Sequence, residues 1–376
     1  MVGLRGDKLL VTPRDMKPSS NNFEVLGVLN PGALRLPDGR ILLYVRVIEK
    51  LKKTSDSRYF FSPRLSGKEK FQIKIDRFSK RSVEGNTDMD VSFKDGTKRL
   101  TYISHLRRVI LDESGFKILK VEQKPSFYGI SGNAELGVED PRITKIGDIY
   151  YMTYVALSRK EGVSTCLAYS KDGFNWERKG IIFGEQDKDV VIFPEKIKGR
   201  YVAFDRPEGN FEFSPPHIWI AYSKDLEYWG KLKGVFFSKT HVDFSRSGAG
   251  PPPIKTDKGW LFLFHGVTKS HPKIFLRKIK KLFGIEIEEG KEIYAVWASL
   301  LDLNNPRKIL ARSHLPILYP KKSQDVSFEG KEVVFPTGIV EDFNGKDILL
   351  YCGSGDINTS VKKISKDDVF NSLEEV

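Results

Sequence analysis

The chain has 376 residues, of which 40% are hydrophobic, and a formal net charge of +13 at pH 7. That length allows two average domains or one large all-β domain, and the apolar content excludes a disordered chain. No stretch approaches the roughly 20 apolar residues of a membrane span, so no span is expected.

The opening segment, Met1-Val-Gly-Leu-Arg-Gly-Asp-Lys8, lacks the apolar stretch of a secretory signal. Only Cys166 and Cys352 occur, so a disulfide framework is not expected and a reducing cytoplasm is the expected compartment. Short apolar and aromatic runs then recur between turn signals: Ile41–Val47, Ile149–Ala156, Tyr201–Phe204, His217–Tyr222, Trp260–Gly266 and Ile348–Cys352. Helical periodicity is scarce, and Gly, Pro, Asp and Asn punctuate the runs, which predicts many short strands.

Two basic segments interrupt this rhythm. Residues 47–110 hold sixteen Lys and Arg against eight Asp and Glu, and residues 269–292 hold seven against four. The remainder is close to neutral, so the charge is local and nucleic acid is not an expected partner. The first segment reads as an enlarged hairpin or accessory loop after the first strand, an insertion at about 47–103. The second, at about 269–292, places Phe275, Ile279 and Leu282 at helical spacing. A short basic helix there would either pack on the parent domain or touch a membrane surface or partner.

A weak internal repeat organises the strands. Tyr169-Ser-Lys-Asp-Gly-Phe-Asn-Trp176 returns 53 residues later as Tyr222-Ser-Lys-Asp-Leu-Glu-Tyr-Trp229, and Leu111-Asp-Glu-Ser-Gly-Phe116 is a looser echo. Each would form a tight turn in which Ser and Asp bond the local backbone and the aromatic packs between sheets. The period suits a four-stranded propeller blade, and the chain length then gives about five blades. Two chance hairpins in a β-sandwich are the alternative. The fold expectation is all-β: a single five-bladed β-propeller over residues 1–376, with four-stranded blades and the two basic insertions.

The densest chemical signal is Gly137-Val-Glu-Asp-Pro-Arg142. Glu139 and Asp140 are adjacent carboxylates, and Pro141 is expected to push Asp140 out of the helical region into an extended conformation. Arg142 can hold a neighbouring carboxylate ionised or fork onto a substrate hydroxyl. One protonated carboxyl beside a charged one is a kit for cleaving glycosidic bonds. A turn carrying a surface salt bridge is the plain alternative.

Motifs along the chain extend this reading. They are Asn30-Pro-Gly-Ala33 leading to Leu43-Tyr-Val-Arg46, Gly137-Val-Glu-Asp-Pro-Arg-Ile143, and Lys188-Asp-Val-Val-Ile-Phe-Pro-Glu-Lys196. Next are Gly199-Arg-Tyr201 with Arg206-Pro207, Gly248-Ala-Gly-Pro-Pro-Pro-Ile254, and Gly259-Trp-Leu-Phe-Leu-Phe-His-Gly-Val267. Leu300-Leu-Asp-Leu-Asn-Asn-Pro306, Val334-Phe-Pro-Thr-Gly338 and Tyr351-Cys-Gly-Ser-Gly-Asp356 close the set. In this order they resemble the β-mannoside phosphorylases of glycoside hydrolase family 130, whose fold is a five-bladed β-propeller. The resemblance runs from about residue 25 to 365.

The resemblance implies a role for each matching residue. Asp140 resembles the family's general acid, whose proton reaches the glycosidic oxygen through a sugar hydroxyl. Such an acid must stay partly protonated near neutral pH, which burial and Glu139 would promote. Lys188, Arg206, Arg246 and His265 resemble a phosphate cradle, although lysine is common where Arg246 stands. Asn30, Arg46, Glu139, Arg142 and Asp356 are candidates to bind the sugar. Tyr154, Tyr222, Trp219 and Trp297 are candidate stacking platforms, though most aromatics should be core. Gly248 and Gly250 let backbone approach a ligand, and Pro251, Pro252 and Pro253 stiffen the chain after them; a rigid connection between blades explains this segment equally.

The implied reaction is reversible, inverting phosphorolysis of β-mannosides to α-mannose 1-phosphate. The expected partners are a mannose-containing oligosaccharide and inorganic phosphate, the latter as co-substrate. No other cofactor and no metal are expected, since the six histidines are scattered without ligand spacing. A β-mannoside hydrolase on the same scaffold, and a non-catalytic propeller binding an anionic partner, are the alternatives. The insertion at 47–103 could wall off the acceptor side or form a contact in a homo-oligomer.

Overall fold

The computed structural model describes residues 2–67, 70–208, 215–235, 244–269, 292–321, 323–327 and 330–376. The chain opens with β1 (Leu4–Val11), then β2 (Phe23–Arg35) and β3 (Ile41–Leu51). An excursion of five short strands comes next: β4 (Tyr59–Leu65), β5 (Ile73–Ser79), β6 (Val83–Asn86), β7 (Asp90–Phe93) and β8 (Lys98–Leu100). The path returns through β9 (Tyr102–Leu111) and β10 (Ile118–Val121). It continues with β11 (Gly137–Ile146), β12 (Ile149–Ser158), β13 (Gly162–Ser170) and β14 (Glu177–Phe183), then β15 (Asp187–Ile192), β16 (Tyr201–Pro207), β17 (Trp219–Ser223) and β18 (Trp229–Gly234). After these stand β19 (Arg246–Ala249), β20 (Ile254–Lys255), β21 (Trp260–Lys269), β22 (Glu292–Leu301) and β23 (Ile309–Ser313). β24 (Glu332–Glu341), β25 (Asp347–Ser354), β26 (Asn358–Ser365) and β27 (Leu373–Glu375) complete the chain.

Antiparallel pairing sorts the main strands into five runs. They are β2-β3-β9-β10, β11-β12-β13-β14, β15-β16-β17-β18, β19-β21-β22-β23 and β24-β25-β26-β1. In the last run the N-terminal strand pairs with β26, so the start of the chain completes a run built from late strands, while β27 pairs with β23 in the run before it. Short parallel contacts join the runs, Gly137 facing Ser104 and Ile293–Tyr294 facing Glu332–Val333. No sheet closes on itself among the described residues.

Strands this apolar on both faces need cover on both sides. Along β3 only Arg46 and Lys50 are not fully buried. The cover comes from core clusters between successive runs. Leu34, Tyr44 and Leu106 meet Met152 and Tyr154. Leu167 and Phe183 meet Val190 and Ala203. Val191 and Phe204 meet Trp260 and Phe262, while Leu261 and Val296 meet Val334 and Leu350. Val340 and Tyr351 meet Val28 and Val45, which returns the last run to the first.

The sequence repeat is a structural repeat. Ser170 Oγ accepts the amides of Asp172 and Gly173, and Asp172 Oδ1 accepts those of Phe174 and Asn175. Ser223 and Asp225 bond the amides of Asp225, Leu226, Glu227 and Tyr228 in the same pattern. Asp302 forms a further turn of this kind with the amides of Asn304 and Asn305. Trp176 packs on the first cluster and donates Nε1–H to Tyr44 Oη at 2.9 Å.

The excursion occupies residues 52–101, inside the expected 47–103. Its β4-β5 hairpin and the β6-β7-β8 sheet are separate from the main sheets. Leu65, Phe61, Phe71 and Ile73 cover Phe23, Leu51 and Ile103. The helix expected within 269–292 lies outside the described residues, apart from the strand ends at Lys269 and Glu292. No helix among the described residues is long and apolar enough to cross a membrane.

The first strands of four runs carry a matching defect. Register slips between Leu29 and Gly32, Glu139 and Arg142, Lys188 and Val191, and Pro336 and Gly338. At three of these bulges a polar residue takes positive φ: Asn30 at 48°, Asp140 at 49° and Asp189 at 55°. The extended conformation expected for Asp140 is therefore wrong. Pro141 bars the right-handed helical region, but the bulge places Asp140 on the left-handed side, which Asn and Asp tolerate better than most residues.

Candidate active site

The bulges turn side chains out of the pleat alternation, and two connected clusters result. In the first, Asp140 Oδ1 accepts from Asn30 Nδ2 at 2.9 Å and from Arg46 Nη1 at 3.1 Å. Arg46 Nη2 reaches Glu139 Oε1 at 2.5 Å, and Ser104 Oγ donates to the same oxygen at 3.0 Å. Arg46 thus bridges the adjacent carboxylates, and the plain alternative of an exposed turn does not hold. The side chains of Arg46, Glu139 and Asp140 are only 12%, 13% and 16% exposed.

Burial pushes the Glu139 carboxyl above the ordinary range; Arg46 opposes this and the charge of Asp140 adds to it. Burial works against the charge on Arg46, but Glu139 and Asp140 outweigh it and raise its pKa. Tyr102, at the start of β9, lies within electrostatic reach of all three, and its hydroxyl is pushed up by burial and then by Glu139. Lys188 is felt at Glu139 from the neighbouring run.

The second cluster centres on Asp189. Its Oδ1 accepts from Arg142 Nη2 at 3.0 Å and its Oδ2 from Arg206 Nε at 2.7 Å. His265 Nε2 lies 3.6 Å from the same Oδ2. Arg206 also reaches Glu208 at 3.2 Å, and Arg246 approaches the other Glu208 oxygen at 3.7 Å. Burial would raise the Asp189 carboxyl, but Arg206 and Arg142 hold it well below the usual range. Burial dominates at His265 and lowers it to about 3, so the ring is neutral near pH 7. His265 packs against Phe335 at a centroid distance of 4.5 Å.

Arg142 joins the clusters. Its Nη1 donates to the backbone carbonyl of Asp140 at 3.2 Å, while Nε and Nη2 also bond the carbonyls of Gly250 and Ala249 at 3.0 and 3.2 Å. Its sequence context suggests that Arg142 meets a sugar hydroxyl, but all three of its nitrogens are engaged by the protein. The glycines of the 248–250 segment allow these approaches. A Cβ on Gly248 would overlap Asp189 Oδ2 and His265 Cε1, and one on Gly250 would lie 2.6 Å from the Leu263 carbonyl oxygen.

Asn30, Arg46, Glu139 and Asp140 are thus brought together, as are Arg142, Arg206 and His265, with Arg246 beside them through Glu208. Asp356 stands exposed on the turn between β25 and β26 at φ 54°, within electrostatic reach of Tyr294, which stacks near His265. Tyr154 and Trp297 are core residues, and Tyr222 packs on the third-to-fourth cluster. Asp189, Ser104 and Glu208 are site residues that the sequence alone does not single out. Asp189 carries a signal, since it is the neighbour of Lys188 in the 188–196 motif. A candidate phosphate cradle is read from its cations, whereas the carboxylate that pairs with Arg142 and Arg206 bears no such mark.

Comparison with known proteins bears on the family of the chain. A family model described as beta-1,4-mannooligosaccharide phosphorylase matches residues 114–375. A β-1,2-mannobiose phosphorylase of Listeria innocua is 33% identical over 377 residues, covering 97% of this chain and 96% of that protein. A 1,2-β-oligomannan phosphorylase of a Thermoanaerobacter species is 33% identical over 272 residues, 71% of this chain and 81% of its own length. The solved structure of the Listeria innocua enzyme with β-1,2-mannobiose superposes with a TM-score of 0.80, at 31% identity, over 97% of this chain and 96% of the other. The ordered motifs, the all-β architecture and a full-length likeness in both sequence and structure lead to one assignment: the chain belongs to glycoside hydrolase family 130.

Proposed function

We propose that this chain is an inverting β-mannoside phosphorylase and that its five strand runs are the blades of a five-bladed propeller. The cyclic succession of core clusters, and the pairing of β1 with β26, support the propeller reading. Asp140 is the proton donor, with Asn30, Arg46 and Glu139 around the mannosyl ring and Asp356 at the rim. Lys188, Arg206, Arg246 and His265 form the phosphate cradle. Arg142 is a positioning residue rather than a sugar contact, because its nitrogens are already used.

Phosphate attacks the anomeric carbon from the face opposite the leaving oxygen while Asp140 protonates the departing sugar. The C–O bond to the acceptor breaks as the new bond to phosphate forms, which gives α-mannose 1-phosphate. No second carboxylate is needed to activate phosphate. A neutral His265 donates a hydrogen bond, and the guanidinium groups supply charge.

The observation that carries this reading is the tie from Asp140 through Arg142 to Asp189, which holds Arg206 beside His265. The full-length relative is a β-1,2-mannobiose phosphorylase, so β-1,2-mannobiose is the first substrate to try. Both cysteines are buried and unpaired, which supports a cytoplasmic setting.

The test supplies α-mannose 1-phosphate with mannose or mannobiose as acceptor and measures phosphate release, with Asp140→Asn as control. Acceptor-dependent release, lost in that variant, is expected. Mannose released from the disaccharide at the same rate with and without phosphate would overturn the reading in favour of a hydrolase.

A further inference from the structure

A second pair of carboxyl groups, unused by the reaction above, lies under the cradle. Asp187 opens β15 and Asp205 sits on β16, 8% and 1% exposed. Asp187 lies opposite Pro207, so its side chain and that of Asp205, two residues before Pro207, leave the same face of the sheet, where the two carboxyls come within hydrogen-bonding contact. Asp187 Oδ1 also accepts from the backbone N–H of Arg206 at 3.2 Å. Asp205 Oδ1 is buried with no partner among the described residues.

Two touching carboxyls this deeply buried cannot both ionise, and they titrate as a unit that keeps one proton. Asp187, which accepts the Arg206 amide, fits the carboxylate; Asp205, with one bare oxygen and one bonded, fits the acid. Burial raises both carboxyls above the ordinary range, and the charge of Asp187 raises Asp205 further. The register places Asp187 opposite Pro207 and Lys188 opposite Arg206, so the shared proton sits where two of the cradle's cations leave the sheet.

We infer that Asp205 is a positioning residue for the phosphate cradle: as a carboxylic acid it donates to Asp187, and the Asp187 carboxylate fixes the backbone of Arg206. This rests on the phosphorylase reading. The charged groups facing the pair are Arg206 and Asp189, with Glu208 beyond the Arg206 guanidinium. The adjacent β13 offers the uncharged Thr165, bonded to the Asp187 carbonyl, and β17 offers Trp219, paired with Asp205. Loss of the proton would break the Asp205–Asp187 bond and put a second negative charge beneath an anion site.

The test is calorimetric binding of inorganic phosphate to the full chain from pH 6.5 to 9, in the parent, Asp205→Asn and Asp205→Leu. The parent should lose about tenfold in affinity between pH 7 and 9, while Asp205→Asn, which keeps a donor but no acid, should stay within about twofold. Asp205→Leu should bind weakly throughout; if it fails to fold, the first comparison decides alone. In turnover, the KM for phosphate should move and the KM for the mannoside should not. An Asp205→Asn variant with the parent's pH dependence overturns the inference alone. A parent that binds no phosphate at any pH overturns the phosphorylase reading as well.

Discussion

Arg142 and Asp189 meet at 3.0 Å, with side chains 2% and 4% exposed, across the seam between the strand that bears Asp140 and the strand that bears Lys188. Arg206 completes the bridge on the other Asp189 oxygen. One anion thus compensates two buried guanidinium groups, and removing it takes the counter-charge from Arg142 and leaves Arg206 with Glu208 alone. Asp189→Asn is expected to destabilise the fold by about 3–5 kcal/mol, measured by denaturant unfolding. Phosphorolysis should fall by about a hundredfold through displaced cradle groups. A variant with unchanged stability and rate would show that the bridge is dispensable.

The close approach at Gly248 makes a second prediction. A methyl group there collides with Asp189 and His265, neither of which can retreat from a packed site. Gly248→Ala should cost about 1–3 kcal/mol by overpacking and raise the KM for phosphate. Gly85 has open space around its would-be Cβ and no positive φ, so Gly85→Ala should change neither quantity.

Particular residues show how far the sequence could be read. The turns at Ser170 and Ser223 were legible because their hydrogen bonds are local, closing within a few residues. The adjacent carboxylates Glu139 and Asp140 stand out in the sequence because proline and arginine follow them directly. The φ of Asp140 was not, because a bulge is set by register against β12, and a local rule for residues before proline only excludes one region. The fate of Arg142 was hidden for a related reason: its acceptors at Asp189, Ala249 and Gly250 lie 47 to 108 residues away. Residue type told that Arg142 could bind an anion or a hydroxyl, and only the fold told that the protein supplies the partners.

His265 predicts a dependence of stability on pH. Burial lowers its pKa from 6.5 to about 3, so below pH 6.5 the unfolded chain takes up a proton that the folded chain refuses. The contribution is complete above about pH 6.5 and is lost as pH falls towards 3, at up to about 1.4 kcal/mol per pH unit. His265→Asn removes this proton uptake. Urea unfolding of both chains at pH 7 and pH 5 should show the parent losing more stability on acidification; equal losses would contradict a neutral, buried ring.

The excursion at 52–101 is the segment whose removal separates an accessory loop from a structural wall. Deletion is geometrically simple, because Lys50 pairs with Tyr102 and the Leu51 amide already bonds the Thr101 carbonyl at 3.1 Å. A two-residue turn can therefore join β3 to β9 without disturbing the ladder. The excursion nevertheless covers Phe23, Leu51 and Ile103 with Phe61, Leu65, Phe71 and Ile73. Its hairpin also holds the segment leading into the acid: the Leu65 amide bonds the Glu135 carbonyl at 2.7 Å, and the Ser131 amide bonds the Gly67 carbonyl at 3.1 Å. Glu135 lies only five residues before Asp140 in the chain. The shortened protein should still fold through its inter-run cores, with increased exposure of apolar surface measurable by dye binding. Its phosphorolysis should fall more than about tenfold, because the Glu139–Asp140 bulge loses support on one side. Full turnover in the shortened chain would show the excursion to be a passenger, and the basic charge it carries would then belong to some task other than catalysis.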